Sequence, residues 1–499
     1  MIVHEAVVVG TGFGGLAAAI ELQRNGISDI VLLEKADALG GTWRDNRYPG
    51  CACDIPSHLY SFSFAPSARW SRAYAEQPEI WDYLRRVADE FRVSQWIRYG
   101  EELVEATYDA GLWHLCTARG TRLSTRSLVL ATGALSEPFV PALPGLESFR
   151  GNVFHTAQWP DDDTAAIDGR RVAVLGTGAS AVQAVPQIAQ RAEHLTVLQR
   201  TPSWIIPKGD REITSDEQER LERKPWLYRL VRAGLYWRNE SRVLAFTTAP
   251  SVMRLLELMA RRHLRRQVDD PATRRALTPT YRMGCKRILI SNDYLPTFNR
   301  PNVDLVTSPV AAVEAGAVVT ADGRRHPVDT LVLSTGFKVT EPHDQLTVTG
   351  AGGRTLREAW SAGMQAHLGV TVAGFPNLFL VVGPNSGLGH NSMVFVIEAQ
   401  TRYLAQCIRM RDEAGARSVS VPQRVQDTFN AELERRSKHT VWASGCRSWY
   451  LDRFGNNRTL WPSSSVSLWR RTRRLDPAHV QLDVDEPARV PSPPQEVSA

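Results

Sequence analysis

No CxxC or CxxxxC pair occurs among the six cysteines, which stand at 51, 53, 116, 285, 407 and 446. A redox dithiol, a structural zinc and a disulfide framework are therefore not expected, no metal site is assigned, and scattered thiols suit a reducing compartment. Cys51 and Cys53 stand too close for an ordinary bridge. No basic segment or cleavage site precedes the first apolar run, since Met1-Ile2-Val3-His4-Glu5 leads straight into residues 6–9; a cytoplasmic location is expected. Charge of one sign is also scarce. The net +6 comes from 59 Lys+Arg against 53 Asp+Glu over 499 residues, which does not call for nucleic acid but suits an anionic small ligand. Residues 363–397 hold no Asp, Glu, Lys or Arg, yet Gly, Pro, Asn and Ser interrupt them too often for a membrane span. Buried loops and strands are expected there, with no integral membrane association.

What is present is a pattern that occurs twice. Hydrophobic residues at 43% and charged residues at 22% describe a globular chain, and 499 residues suggest about three domains or one large two-lobed enzyme. Residues 6–9 read as a strand, Gly10-Thr11-Gly12-Phe13-Gly14-Gly15 as a tight turn, 16–24 as a helix and 30–33 as a second strand ending at Glu34. The unit returns as a strand at 172–175, the turn Gly176-Thr177-Gly178-Ala179-Ser180-Ala181, a helix to Gln190 and a strand at 195–198 leading to Gln199-Arg200. Both are strand–GxGxxG/A–helix–strand fingerprints, in which glycines permit the turn and let backbone N–H groups approach a pyrophosphate. The fold class is α/β, with two Rossmann-like dinucleotide-binding domains. Short strands at 127–130 and 330–333 run into Ala131-Thr132-Gly133 and Ser334-Thr335-Gly336, marking where the chain crosses between them. Residues 217–268 carry twelve Lys+Arg against five Glu among Trp, Tyr and Leu, a helical insertion whose basic face is read as solvated.

The two second strands end differently. Glu34 can accept hydrogen bonds from an adenosine ribose, whereas Arg200 can fork onto the 2′-phosphate that distinguishes NADPH from NADH. Two dinucleotide sites in one chain point to a flavoprotein reduced by a nicotinamide, and the missing redox cysteine pair disfavours a disulfide reductase.

Phe149-Arg150-Gly151-Asn152-Val153-Phe154-His155-Thr156-Ala157-Gln158-Trp159-Pro160 matches FxGxxxHxxxW(P), and on this motif the chain resembles the Baeyer-Villiger monooxygenases, the class B flavin-dependent monooxygenases. Further matches over about residues 5–465 are Gly40-Gly41-Thr42-Trp43, Asn46-Arg47-Tyr48-Pro49-Gly50 through Asp54, Gln199-Arg200-Thr201-Pro202, Gly284-Cys285-Lys286-Arg287 and Leu460-Trp461-Pro462. The resemblance implies FAD in the first fold and NADPH in the second, acting with O2 on a small-molecule ketone. It divides the chain into a FAD domain (1–145 and 336–470), an NADP domain (146–210 and 281–335), a helical insertion (211–280) and a flexible tail (471–499). Gly10, Gly12, Phe13, Gly15, Glu34, Gly41, Thr42 and Trp43 match FAD-contacting positions. Asp54 and Tyr60 match residues near the isoalloxazine, Val104 a backbone contact to adenine, and Met393 is placed on the flavin's far side. Gly176, Thr177, Gly178, Ser180, Ala181, Arg200, Thr201 and Lys286 match the NADP site.

Arg287 matches the family's catalytic arginine and Asp54 its orienting partner. The resemblance implies a C4a-peroxide that attacks a ketone as an anion to give an ester or lactone, so a permanent cation beside it is required. Phe149, Gly151, His155 and Trp159 match a linker that couples NADPH binding to domain rotation, and Trp449-Tyr450 falls at a mobile loop. Two other readings stay open: an S- or N-oxygenating flavin monooxygenase, and an idle flavoprotein whose basic helices dock on a membrane or a protein.

Overall fold

The computed structural model describes residues 2–248, 251–341 and 345–484. Strands Val3–Val9 and Ile30–Glu34 run parallel with Val8 opposite Leu32, and helix Phe13–Arg24 connects them. All five residues of Ile30–Glu34 are buried. A strand covered on both faces has no polar side to show, which is why these runs are continuously apolar rather than alternating.

They belong to a sheet of eight strands. Its order is Thr347–Thr349, Leu103–Asp109, Leu112–Thr117, Arg122–Leu130, Val3–Val9, Ile30–Glu34 and Ile97–Tyr99, with Leu378–Leu380 also pairing to Arg122–Leu130. The second fold is a five-stranded parallel sheet ordered Val303–Val306, His194–Leu198, Arg171–Leu175, Thr330–Leu333 and Asn152–His155. Thr330–Leu333 inserts beside Arg171–Leu175, as Arg122–Leu130 does beside Val3–Val9, so the two strand ends noted in the sequence occupy equivalent places. The segments leaving them hydrogen-bond to one another: Phe139 N–H donates to Gly336 O at 2.8 Å and Lys338 N–H to Glu137 O at 2.9 Å. The two crossings form one double strap between the domains.

The insertion contains helices Ser215–Arg223, Pro225–Glu240, Val243–Thr247 and Val252–Gln267. Among the described residues no single helix is long and apolar enough to cross a membrane; the last three make a pair bent by 109°.

Three expectations differ from the structure. Cys285 and Cys446 form a disulfide with Cα atoms 6.2 Å apart, while Cys51, Cys53, Cys116 and Cys407 are free. Their separation of 161 residues leaves no spacing signal. Residues 363–397 are loops and one strand only as far as Ser392; its hydroxyl accepts from Val394 N–H and starts the helix Met393–Glu413, a cap the apolar run concealed. The tail expected from 471 onward is folded to Asp483: Ser465–Thr472 is helical, Leu475 is buried, and Gln481–Asp483 pairs antiparallel with Ser418–Ser420. The rest of that tail, 485–499, lies outside the described residues.

Candidate functional site

A single cleft of about 1560 Å³ runs between the two sheets and is walled by both fingerprints. Gly10, with φ +99°, opens the first turn, and a Cβ there would lie 2.6 Å from Ala131 O. Gly15 is off the cleft: a Cβ would fall 1.9 Å from Gly10 O, so its place is close helix–strand packing, the role of the third glycine. Ala181, fully buried, sits equivalently in the second fold and is likewise absent from the wall. Val104 also misses it; Glu101, Glu102 and Leu103 line the cleft instead, because Val104 lies one step further along its strand.

Gly12, Phe13, Gly41, Thr42, Trp43, Tyr60 and Met393 line the first fold's side. Trp43 Nε1 donates to Tyr60 Oη at 3.1 Å and Phe13 packs edge-on to the Tyr60 ring, so three cleft residues hold one another. Glu34 lines the cleft but is also a hub: its carboxylate accepts from Thr11 N–H and hydroxyl, Ala36 N–H and Arg44 Nη1. Arg44, buried and not singled out in the sequence, thus pins the fingerprint's acid. Its position directly after Gly40-Gly41-Thr42-Trp43 was the available signal.

On the second side Gly176, Thr177, Gly178, Ser180, Arg200, Thr201 and Lys286 line the cleft. Thr177 Oγ1 donates to Thr201 O at 2.8 Å, tying the turn to the strand end. Burial, and then the charge of Arg200, push the Lys286 ammonium below its usual pKa. Two cations that repel one another at a cleft wall fit a phosphate dianion. Nothing lies within 4 Å of where a Gly178 Cβ would point, leaving room for a pyrophosphate at the helix N-terminus. The residues present therefore fit two dinucleotides.

Between the two halves stands Arg287. Its Nε and Nη2 donate to Asp54 Oδ2 at 2.8 and 2.5 Å, across 233 residues of sequence. The Asp54 carboxylate raises the guanidinium's pKa above its ordinary value against the opposing effect of burial, so the charge is permanent. Tyr450 is buried beside this pair, its phenol pushed up to about 12 by burial despite Arg287. Trp449, 41% exposed, lines the cleft next to it. The Cys285–Cys446 bridge ties their loop to the segment that carries Lys286 and Arg287.

Two more residues escaped the sequence reading. Gln183, in the helix opened by the second fingerprint, accepts from Tyr48 Oη at 2.9 Å and donates to Ala52 O at 2.9 Å. It joins the two domains beside Asp54, and an amide among Ala181, Val182, Ala184 and Val185 was its only signal. Glu240 of the insertion is buried and accepts from Ser465 N–H, Ser465 Oγ and Asn391 Nδ2 at 2.6–2.8 Å. Burial opposes its ionisation, but hydrogen bonds from His390, Ser465 and Asn391 prevail and hold it at about 2.

The linker residues stand off the cleft. His155 is buried, its Nδ1 accepts from Ala157 N–H, and its ring meets Phe337 of the double strap edge-on; burial lowers its pKa. Trp159 Nε1 donates to Asp163 at 2.9 Å and packs on Phe154. A Cβ on Gly151 would fall 2.1 Å from Asp329 O, and Phe149 packs on the second fold's core. Among the described residues no group of His, Cys, Asp and Glu is arranged to hold a metal ion.

Fold and cleft together define a two-dinucleotide oxidoreductase, and residues 7–225 match the family model described as pyridine nucleotide-disulphide oxidoreductase. The chain is 46% identical to a Baeyer-Villiger monooxygenase of Streptomyces coelicolor, over 98% of this chain and 95% of that protein. It is 43% identical to a Baeyer-Villiger monooxygenase of Pseudomonas aeruginosa, over 96% and 91%. Among solved structures it is similar to an oxidized steroid monooxygenase bound to NADP, with 31% identity, coverage of 97% and 100% and a TM-score of 0.86. The chain belongs to the Baeyer-Villiger monooxygenase family, and it is a flavin-dependent monooxygenase.

Proposed function

We propose that this protein binds FAD in its first fold and NADPH in its second and, with O2, converts a ketone to an ester or lactone. The balance is ketone, NADPH, H+ and O2 giving ester, NADP+ and water. When bound, the flavin supplies acceptance of hydride and activation of oxygen. The chain's own residues bind, orient and exclude water. Backbone N–H groups of the glycine turns face the pyrophosphates, Glu34 receives ribose hydroxyls, and Arg200 with Lys286 holds the 2′-phosphate. Arg287, kept charged and aimed by Asp54, stands where negative charge develops on oxygen and on the carbonyl. Trp449 and Met393 wall the cleft against water, which strengthens that interaction. His155, against Phe337, acts on the strap between domains, and Trp159, against Phe154, on the strand beside it, rather than on substrate.

The observation that carries this reading is the Arg287–Asp54 ion pair in the seam between the two fingerprints. A fixed cation suits attack by an oxygen anion on a carbonyl carbon, whereas S- or N-oxygenation needs the protonated electrophile. The test offers the holoenzyme a ketone, a sulfide and an amine with NADPH and oxygen-18 O2. One labelled oxygen in an ester is expected. Dominant sulfide or amine oxidation without ester refutes the assignment.

A further inference from the structure

The insertion's outer surface is unlike the rest of the molecule. On helix Pro225–Glu240, Trp226, Leu230 and Trp237 are 60%, 61% and 60% exposed, and with Ala233, also exposed, they fall within a sector of about 60° at 3.6 residues per turn. The exposed apolar set continues through the bend with Leu244, and onto helix Val252–Gln267 with Leu255 and Leu258 at 68% and 61%. This is not a loosely held helix. Its opposite face buries Tyr228 and Asn239, and Arg232 there donates to His58 O and Ser61 O at 2.6 and 2.8 Å. An apolar stripe of this size on an anchored helix marks an interaction surface.

Charge identifies the partner. Residues 225–267 contain nine Arg, no Lys or Asp, and two Glu. Both glutamates turn inward: Glu240 onto Ser465 and Asn391, and Glu257 onto Met283 N–H. Arg229, Arg238, Arg254, Arg262, Arg265 and Arg266 are exposed, and none of them pairs with a carboxylate among the described residues. We propose that this face docks peripherally on an anionic lipid bilayer, the tryptophans and leucines entering the headgroup boundary and the arginines meeting lipid phosphates. Tryptophan favours that boundary, and neither helix of the pair, bent by 109°, is by itself long and apolar enough to span a bilayer. A second copy of the chain is a poor fit, because a self-complementary contact would set arginine against arginine. Nucleic acid is the poorer fit: Trp226 and Trp237 offer planes on which bases can stack, but Leu230, Leu244, Leu255 and Leu258, exposed beside them, gain nothing against a phosphate backbone.

The same helix reaches the cleft from within: Glu240 holds Asn391, which lines it. The bilayer is then also the source of an apolar ketone, a step that rests on the proposed function. The docking test needs no turnover and fails independently of it. Full-length holoenzyme is floated with phosphatidylcholine vesicles with and without phosphatidylglycerol. Wild type is expected on the anionic vesicles and released by salt. A Trp226→Ser/Trp237→Ser/Leu255→Ser variant should lose at least about tenfold in binding while retaining NADPH-dependent ketone oxidation in solution. An Arg262→Gln/Arg265→Gln/Arg266→Gln variant should lose the preference for phosphatidylglycerol. Absent flotation, or flotation that the serine variant leaves unchanged, overturns the proposal. So does a dimer, detected by sedimentation, that the serine variant dissociates.

Discussion

Replacing Arg287 by alanine tests the reaction at its electrostatic centre. The substitution removes the cation paired with Asp54 and leaves that half-buried carboxylate facing the cleft. Two unit charges about 4 Å apart interact by about 4 kcal/mol at the effective dielectric of such a site. Loss of that stabilisation slows ester formation by about three orders of magnitude, and the stranded Asp54 charge adds repulsion of the same sign. Hydride delivery depends on Arg200, Lys286 and the glycine turns, which the substitution does not touch. Arg287→Ala is therefore expected to oxidise NADPH near the wild-type rate and to release hydrogen peroxide in place of ester. Stopped-flow flavin reduction and product chromatography measure the two halves separately. Asp54→Ala keeps the guanidinium but loses its aim, so its loss should be smaller, and the double variant should fall short of the summed single losses because the pair acts as a unit. Ester formation by Arg287→Ala within about tenfold of wild type would refute the reasoning.

Other consequences follow from single residues. Arg200→Gln and Lys286→Gln should each raise KM for NADPH by about 10- to 100-fold with little change for NADH, as loss of one charge-assisted phosphate contact requires. Because Lys286 is lowered in the free enzyme and a phosphate raises it again, NADPH affinity is full below the free-enzyme pKa and is lost as pH rises through it; a flat alkaline profile for KM would contradict this. Gly178→Ala, with open space around it, should leave Tm unchanged and weaken NADPH, whereas Gly15→Ala, 1.9 Å from Gly10 O, should lower both Tm and flavin content. His367 is buried with no hydrogen-bond partner for either ring nitrogen among the described residues, and burial first, then His479 and Arg471, bring its pKa to about 3. The unfolded chain takes up the proton near pH 6.5 and the folded chain does not, so stability is lost as pH falls through the window from 6.5 to about 3. The loss is about 2 kcal/mol by pH 5. His367→Phe should flatten the fall of Tm between pH 7 and 5.

The amino-acid sequence by itself determined what depends on neighbours along the chain. Glycine spacing, the apolar runs before it and the acid or arginine closing the next strand are local, and they specify two nucleotide folds and the FxGxxxHxxxW(P) family signature without any fold in hand. The tertiary structure alone decided what depends on distance. It closed Cys285 onto Cys446 across 161 residues, set Gln183 between the domains, moved Val104, Gly15 and Ala181 off the cleft wall, and turned Glu240 inward while its helix showed tryptophan to solvent. Periodicity shows that a helix has two faces; only packing shows which face finds a partner, because burial is a property of the assembled chain.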